Sequence, residues 1–266
     1  MFINFASFYS IMVASLHFLG TGTGAGVVGK GLRSSAGIIL KLGQNQFHID
    51  PGVGAVIKAA EFGISVRDTT AILLSHCHTH HANDVNAVIE AMSYDGLDKK
   101  GVLVANKTAL NGTEEYPAII TPYHRSLLER YIAVDRNMQL AINDVEIRTL
   151  TARHNEPNSL GFKFIHPELT VVYSGDTVYS PDLVEQYLGC HVLILNVPNK
   201  VKDSYNLCLE DVPLILEKVR PRLAVITHFA NDLHKADPLY EVREIQRKTG
   251  VSCLAARDGM EIQPTK

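Results

Sequence analysis

The sequence predicts an α/β protein in which two packed β-sheets carry helices on their outer faces. Three observations point there. Strand-like and helical runs are interleaved along the whole chain. The first half reads largely as hairpins with inserted helices, and the second half repeats that style. Both halves need their sheets covered, and two packed sheets with helices outside achieve this. At 266 residues, 46% hydrophobic and 20% charged, the composition supplies an ordinary globular core.

The elements follow in order. An apolar extension over 1–13 leads into a first strand at 14–19, and a glycine-rich loop runs over 20–31. "AGIILKL" and "QFHID" are strands around the turn "GQN". Residues 53–62 have helical spacing, with Gly63 at their end. "TAILLSH" is a buried strand, 84–92 a helix and "GVLVAN" a strand. "YHRSLLERYI" reads as a helix opened by Pro122. "QLAI" and "VEIRTLTA" flank the hairpin signal "ND", and "GFKFIH" and "LTVVYSG" flank "PE". "HVLILNV" is a buried strand, "LEDVPLILEKV" a helix and "RLAVITHF" a strand. A helix at 239–248, stopped by Gly250, and the strand "VSCLAA" complete the pattern. Residues 14–266 read as one domain.

Net charge is −3, so an extensive nucleic-acid surface is not expected. The four cysteines form no CxxC pair and no dense framework, which points to a reduced, cytoplasmic protein. The first 29 residues carry no Asp, Glu, Lys or Arg. They also lack the basic start of a signal peptide, and polar residues and glycines interrupt them, so a membrane span is not expected.

"LLSHCHTHHAND" places His76, His78, His80 and His81 directly after a buried strand. His76 and His78 are two apart, so on leaving a strand they point the same way and can chelate one ion. His81 lies further round and suits a neighbouring ion. Three later residues top apolar strands in the same manner: His154, Asp176 in "YSGDT", and His228 in "VITHF". Singly, each is more often a turn or cap residue. Their recurrence favours a shared cleft. His48 reads as strand core beside Phe47 and Ile49, and His124, His166, His191 and His234 have no companion ligand nearby in sequence.

Gly24, Gly26 and Gly29 match the dinucleotide motif GxGxxG, with Asp50 beyond them. That motif requires an amphipathic helix next, whereas a hairpin pattern follows. The glycines read as a loop near the metal cleft.

"HCHTHH", the later single His, "SGDT" and "THF", in that order, resemble the metallo-β-lactamase superfamily. "FLGTGTGAG", "SSAGIIL", "IDPG" and "AARDGMEI" are most similar to its ribonuclease Z-like branch. The resemblance implies a four-layer αββα sandwich with two mixed sheets and a two-metal hydrolytic site. It implies that His76, His78 and His154 hold one ion, that His81 and His228 hold the other, and that Asp176 bridges them. The ions would be zinc, with manganese the alternative. Three positions depart from the family. His80 stands where the family has an Asp that binds the second metal and helps orient the attacking water. Asn196 and Asn206 stand where ribonuclease Z-type enzymes carry the Glu and His that protonate the leaving oxygen.

The expected function is a two-metal phosphodiesterase acting on a nucleotide or another small phosphodiester, with Asp176 and His80 catalytic. An RNA 3′-processing endonuclease is the alternative, and a metal-binding or partner-binding module without turnover is the reading from another class. Lys30, Arg33, Asn196 and Asn206 are the candidate substrate contacts. A homo-oligomer is compatible with all of these.

Overall fold

A computed structural model describes residues 14–264; the predicted extension at 1–13 lies outside them. Strand β1 (Ser15–Phe18) pairs antiparallel with β2 (Ile38–Leu42), which returns through a tight turn to β3 (Asn45–Ile49). From there the first sheet becomes parallel. Helix α1 (Ala55–Glu61) crosses over to β4 (Ala71–Leu74), and α2 (Thr79–Ala82) and α3 (Val85–Ser93) lead to β5 (Val102–Asn106). The short helices α4 (Lys107–Asn111) and α5 (Pro122–Ser126) precede the parallel edge strand β6 (Arg130–Val134).

The second half repeats the plan. Strands β7 (Gln139–Ile142), β8 (Val145–Thr151), β9 (Leu160–Ile165) and β10 (Thr170–Tyr173) form an antiparallel meander. Helix α6 (Pro181–Glu185) leads to β11 (Val192–Asn196), α7 (Asp211–Val219) to β12 (Leu223–Thr227), and α8 (Asn231–Lys235) and α9 (Pro238–Thr249) to β13 (Cys253–Ala255). These last strands extend the sheet in parallel from β10. Strand β14 (Met260–Ile262) then returns to the first sheet beside β1.

Two seven-stranded mixed sheets result, the first built from β1 to β6 with β14 added from the end of the chain, the second from β7 to β13. Alternation on the strands sends Phe18, Leu40, Phe47 and Leu73 inward against Phe162, Phe164, Val171 and Ile194 of the facing sheet. The opposite faces are covered by helices, with Val85, Val88 and Ile89 of α3 on one side and Val212, Ile215 and Leu216 of α7 on the other. The architecture is the expected αββα sandwich. Among the described residues no helix is long and apolar enough to cross a membrane.

Two expectations are corrected. The stretch "YHRSLLERYI" does not form one helix: α5 ends at Ser126, and residues from Arg130 form β6. Pairing with β5 from Val102↔Arg130 to Asn106↔Val134 outweighs the local helical pattern. The hairpin style expected of the first half holds only through β3, since β3 to β6 are parallel. Strand β14 and the short helices α2, α4, α6 and α8 were not legible in the pattern. They are only three to five residues long, below the reach of periodicity.

Candidate metal centre

Strands β3, β4, β8, β10, β11 and β12 end on one rim of the sandwich. Asp50, His76, His154, Asp176 and His228 stand within three residues past those ends, and Asn196 is the last residue of β11. Helix α2, which follows β4 almost at once, adds His80 and His81. Parallel strands explain this convergence, because their carboxyl ends must share an edge.

Asp176 is the focus. Its Oδ2 lies 3.1 Å from Nε2 of His228, 3.2 Å from Nε2 of His81 and 3.8 Å from Nε2 of both His80 and His154. Nε2 of His76 is 3.9 Å away. His78 turns Nδ1 inward, 2.9 Å from Nε2 of His76 and 3.2 Å from Nε2 of His154. Two overlapping groups result, one of His76, His78 and His154, the other of His76, His80, His81 and Asp176. All seven residues expected to face a metal are therefore together.

A second layer aims these rings. The Asp50 carboxylate accepts hydrogen bonds from Nδ1 of His81, the Tyr173 hydroxyl, and both the amide and the hydroxyl of Ser75. Nδ1 of His76 donates to Ser75 Oγ, and Nδ1 of His154 donates to the Tyr205 carbonyl. Nε2 of these three rings is left to face the centre, whereas His78 presents Nδ1. Oδ1 of Asp176 accepts from the Asn196 amide at 2.7 Å, which turns Oδ2 toward the imidazoles. Asp50 (φ 50°) and His228 (φ 71°) both adopt the left-handed region, a conformation that costs about 1 kcal/mol for a non-glycine residue.

The electrostatics suit a cation. Burial lowers the His76 imidazole well below its ordinary range, His78 to about 4 and His80 to about 3, and it lowers His228 as well. These rings are neutral at pH 7, the state in which imidazole ligates. His81 differs. Burial opposes its charge, but Asp176 and Asp50 on either side outweigh that and raise it to about 10. Asp176 is held ionised despite its burial, by His228 and His81. The chain thus favours positive charge between Asp50 and Asp176. Neutral imidazoles around one ionised carboxylate fit divalent transition metals.

The remaining candidates sort differently. Asn196 is buried beneath the centre, where its amide also donates to the Tyr173 hydroxyl; it braces Asp176 and does not face a substrate. Asn206 lines the cleft mouth, but its amide is bonded to Asp203. Arg33 donates to Thr21 Oγ1 and to Nδ1 of His234, and stacks on Phe229. Lys30 is exposed on the glycine-rich loop. Neither of these two cations lines the cleft. Thr23 and Gly24 do, so the glycine-rich loop borders the centre, and no helix follows it before α1. His48, His124, His166, His191 and His234 each bond locally, away from the cleft. Cys77 packs toward the helical layer over the first sheet.

Sequence reading missed Asp50, Ser75 and Tyr173 as parts of the centre. Asp50 stood in "IDPG", but nothing local revealed its bond to His81, 31 residues on. Glu156 was also missed. Fully buried two residues after His154, it accepts from Asn106 and Thr108 and ties the His154 loop to the first half.

Residues 45–229 match the family model described as a β-lactamase superfamily domain. An uncharacterized protein of Methanocaldococcus jannaschii is 27% identical over 256 residues, covering 95% of this chain and 96% of its own. A ribonuclease Z of Methanopyrus kandleri is 25% identical over 289 residues, covering 93% and 97%. The metallo-β-lactamase fold protein YhfI of Bacillus subtilis superposes with a TM-score of 0.78 at 15% identity, covering 95% and 100%. A diphosphatase of the PhnP family does so at 0.70 and 18%, covering 94% and 97%.

Proposed function

This chain belongs to the β-lactamase superfamily of metallo-hydrolases, and from that premise we propose that it is a two-zinc phosphodiesterase acting on a nucleotide or another small phosphodiester. The observation that carries this is the convergence of six imidazoles on one ionised carboxylate, with no acid–base pair set for a leaving group at Asn196 and Asn206. In this reading His76, His78 and His154 would hold one ion, His81 and His228 would hold the other, and Asp176 would be the carboxylate available to both. Bound divalent ions would supply Lewis acidity toward a phosphoryl oxygen and acidify a water nucleophile.

The chain's own residues do the rest. Asp50, Ser75 and the Tyr205 carbonyl fix which nitrogen His81, His76 and His154 present. Asn196 holds Asp176 so that one oxygen faces the imidazoles. The cleft has a volume of about 270 Å³ and is lined by Thr23, His78, His154, Pro198, Tyr205 and Asn206 among others. Such a volume suits a small ester. Among the described residues no lysine or arginine lines it, so in this reading attraction for a phosphate rests on the ions. The likeness to a diphosphatase supports phosphate chemistry. The four free cysteines support a reducing, cytoplasmic setting.

A second reading, RNA 3′ processing, draws on the ribonuclease Z relative. The two separate in one comparison of the zinc-loaded protein on bis(p-nitrophenyl) phosphate, cyclic nucleotides and short RNA. Turnover of the small diesters, with RNA affinity weak at every salt concentration, supports the first. A steep salt dependence with RNA cleavage supports the second. No turnover of any of them by metal-replete protein would overturn both.

A further inference from the structure

We propose that His80 is a ligand of the second ion, so that each ion position comprises three imidazoles and the shared Asp176 carboxylate, and that this makes the second position, like the first, select zinc-class ions over manganese and magnesium. The inference rests on the two-ion reading above and specifies the metal that the site takes.

Geometry places the ligand. Nε2 of His80 is 3.8 Å from Asp176 Oδ2 and falls in one group with His76, His81 and Asp176, all ligand atoms within 4.8 Å of one another. Its ring centroid lies 4.6 Å from that of His81 and 5.1 Å from that of His228. The side chain is 26% exposed, so most of it is covered.

The backbone under His80 is locked. A Cβ on Gly52 would sit 2.1 Å from the His80 carbonyl and 2.3 Å from that of Ser35, so the loop after Asp50 packs directly on α2. Just beyond α2, the Asp84 amide donates to the Pro51 carbonyl at 3.0 Å. The Asp84 carboxylate accepts from the amides of Gly54 and Ala55. The same loop carries Asp50, which orients His81. His80 and His81 are therefore aimed by one rigid unit.

Chemistry sets the consequence. With His80 included, the first position takes His76, His78 and His154, and the second takes His80, His81 and His228. Asp176 is the carboxylate that both share. Imidazole nitrogen suits zinc and its transition-metal neighbours, whereas manganese and magnesium prefer carboxylate and water oxygen. A carboxylate at position 80 would give the second position two hard oxygens and a further negative charge. His80 gives it neither.

The test is metal binding, not turnover. Chelator-stripped full-length protein is dialysed against zinc, cobalt and manganese separately, and the bound metal is counted, with cobalt absorption reporting nitrogen ligation. Wild type is expected to take two zinc or cobalt ions. His80→Ala should weaken the second ion by about tenfold or more while sparing the first, and His80→Asp should shift the second position toward manganese by a similar factor. Circular dichroism matching wild type establishes that the variants fold. If wild type binds two ions but both variants keep the second zinc within about twofold, the role of His80 is overturned and the two-ion reading stands. If wild type itself takes fewer than two zinc ions, that reading falls and the inference with it.

Discussion

Nδ1 of His81 donates a hydrogen bond to the Asp50 carboxylate at 2.8 Å, so a residue outside the ligand set decides how a ligand is presented. The same carboxylate gathers Ser75 and Tyr173, joining the ends of β3, β4 and β10.

Asp50→Asn tests that relationship. Asparagine tolerates the positive φ that Asp50 adopts, so the backbone strain does not rise. An amide cannot accept from His81, Tyr173 and Ser75 together. Zinc affinity is expected to fall about 10–100-fold, the usual effect of losing such a supporting partner. Titration of the apoprotein with zinc checks it, and unchanged affinity would show that Asp50 only supports the fold.

Asp176→Asn should retain the fold and lose most turnover. The amide can still bond Asn196 but brings no charge to offset two cations. Hydrolysis of bis(p-nitrophenyl) phosphate should drop about a hundredfold or more. Near-normal turnover at full metal content would sink the bridging role.

Asn196→Asp places a second carboxylate beside Asp176 Oδ1, where the amide now sits 2.7 Å away. Two buried like charges raise the pKa of one of them. A carboxyl with a raised folded pKa loses stability as the pH climbs through the unfolded value near 4. Apoprotein carrying this change should melt below wild type at pH 7, with the gap closing toward pH 4. A gap that stays constant with pH would count against the proximity of the two groups.

His48 governs part of the acid limit. It is fully buried on β3, its Nε2 donates to the Ala36 carbonyl, and burial lowers it from 6.5 to about 4. The unfolded chain therefore binds this proton first. Stability falls as the pH drops from about 6.5 toward about 4, by on the order of 3 kcal/mol. His48→Gln keeps a donor for Ala36 and does not titrate. Its stability–pH curve should be flatter than that of wild type over this window, and parallel curves would refute the assignment.

The histidine cluster and the strand-top positions of His154, Asp176 and His228 were legible in the sequence by itself. Metal-ligating side chains leave a chemical signature wherever they stand, and buried strands announce their ends by a switch from apolar to polar residues. The sandwich was legible for the same reason: long alternating runs record which face is buried, as in "VEIRTLTA" and "GFKFIH". Only the tertiary structure decided that residues 130–134 join the first sheet, because edge pairing with β5 leaves little mark in a half-exposed stretch. It also moved Asn196 from substrate contact to support of Asp176, and joined Asp50 to His81 and Tyr173, which lies 123 residues further on. A hydrogen bond between strand ends depends on which strands lie side by side, and nothing local to either residue records that.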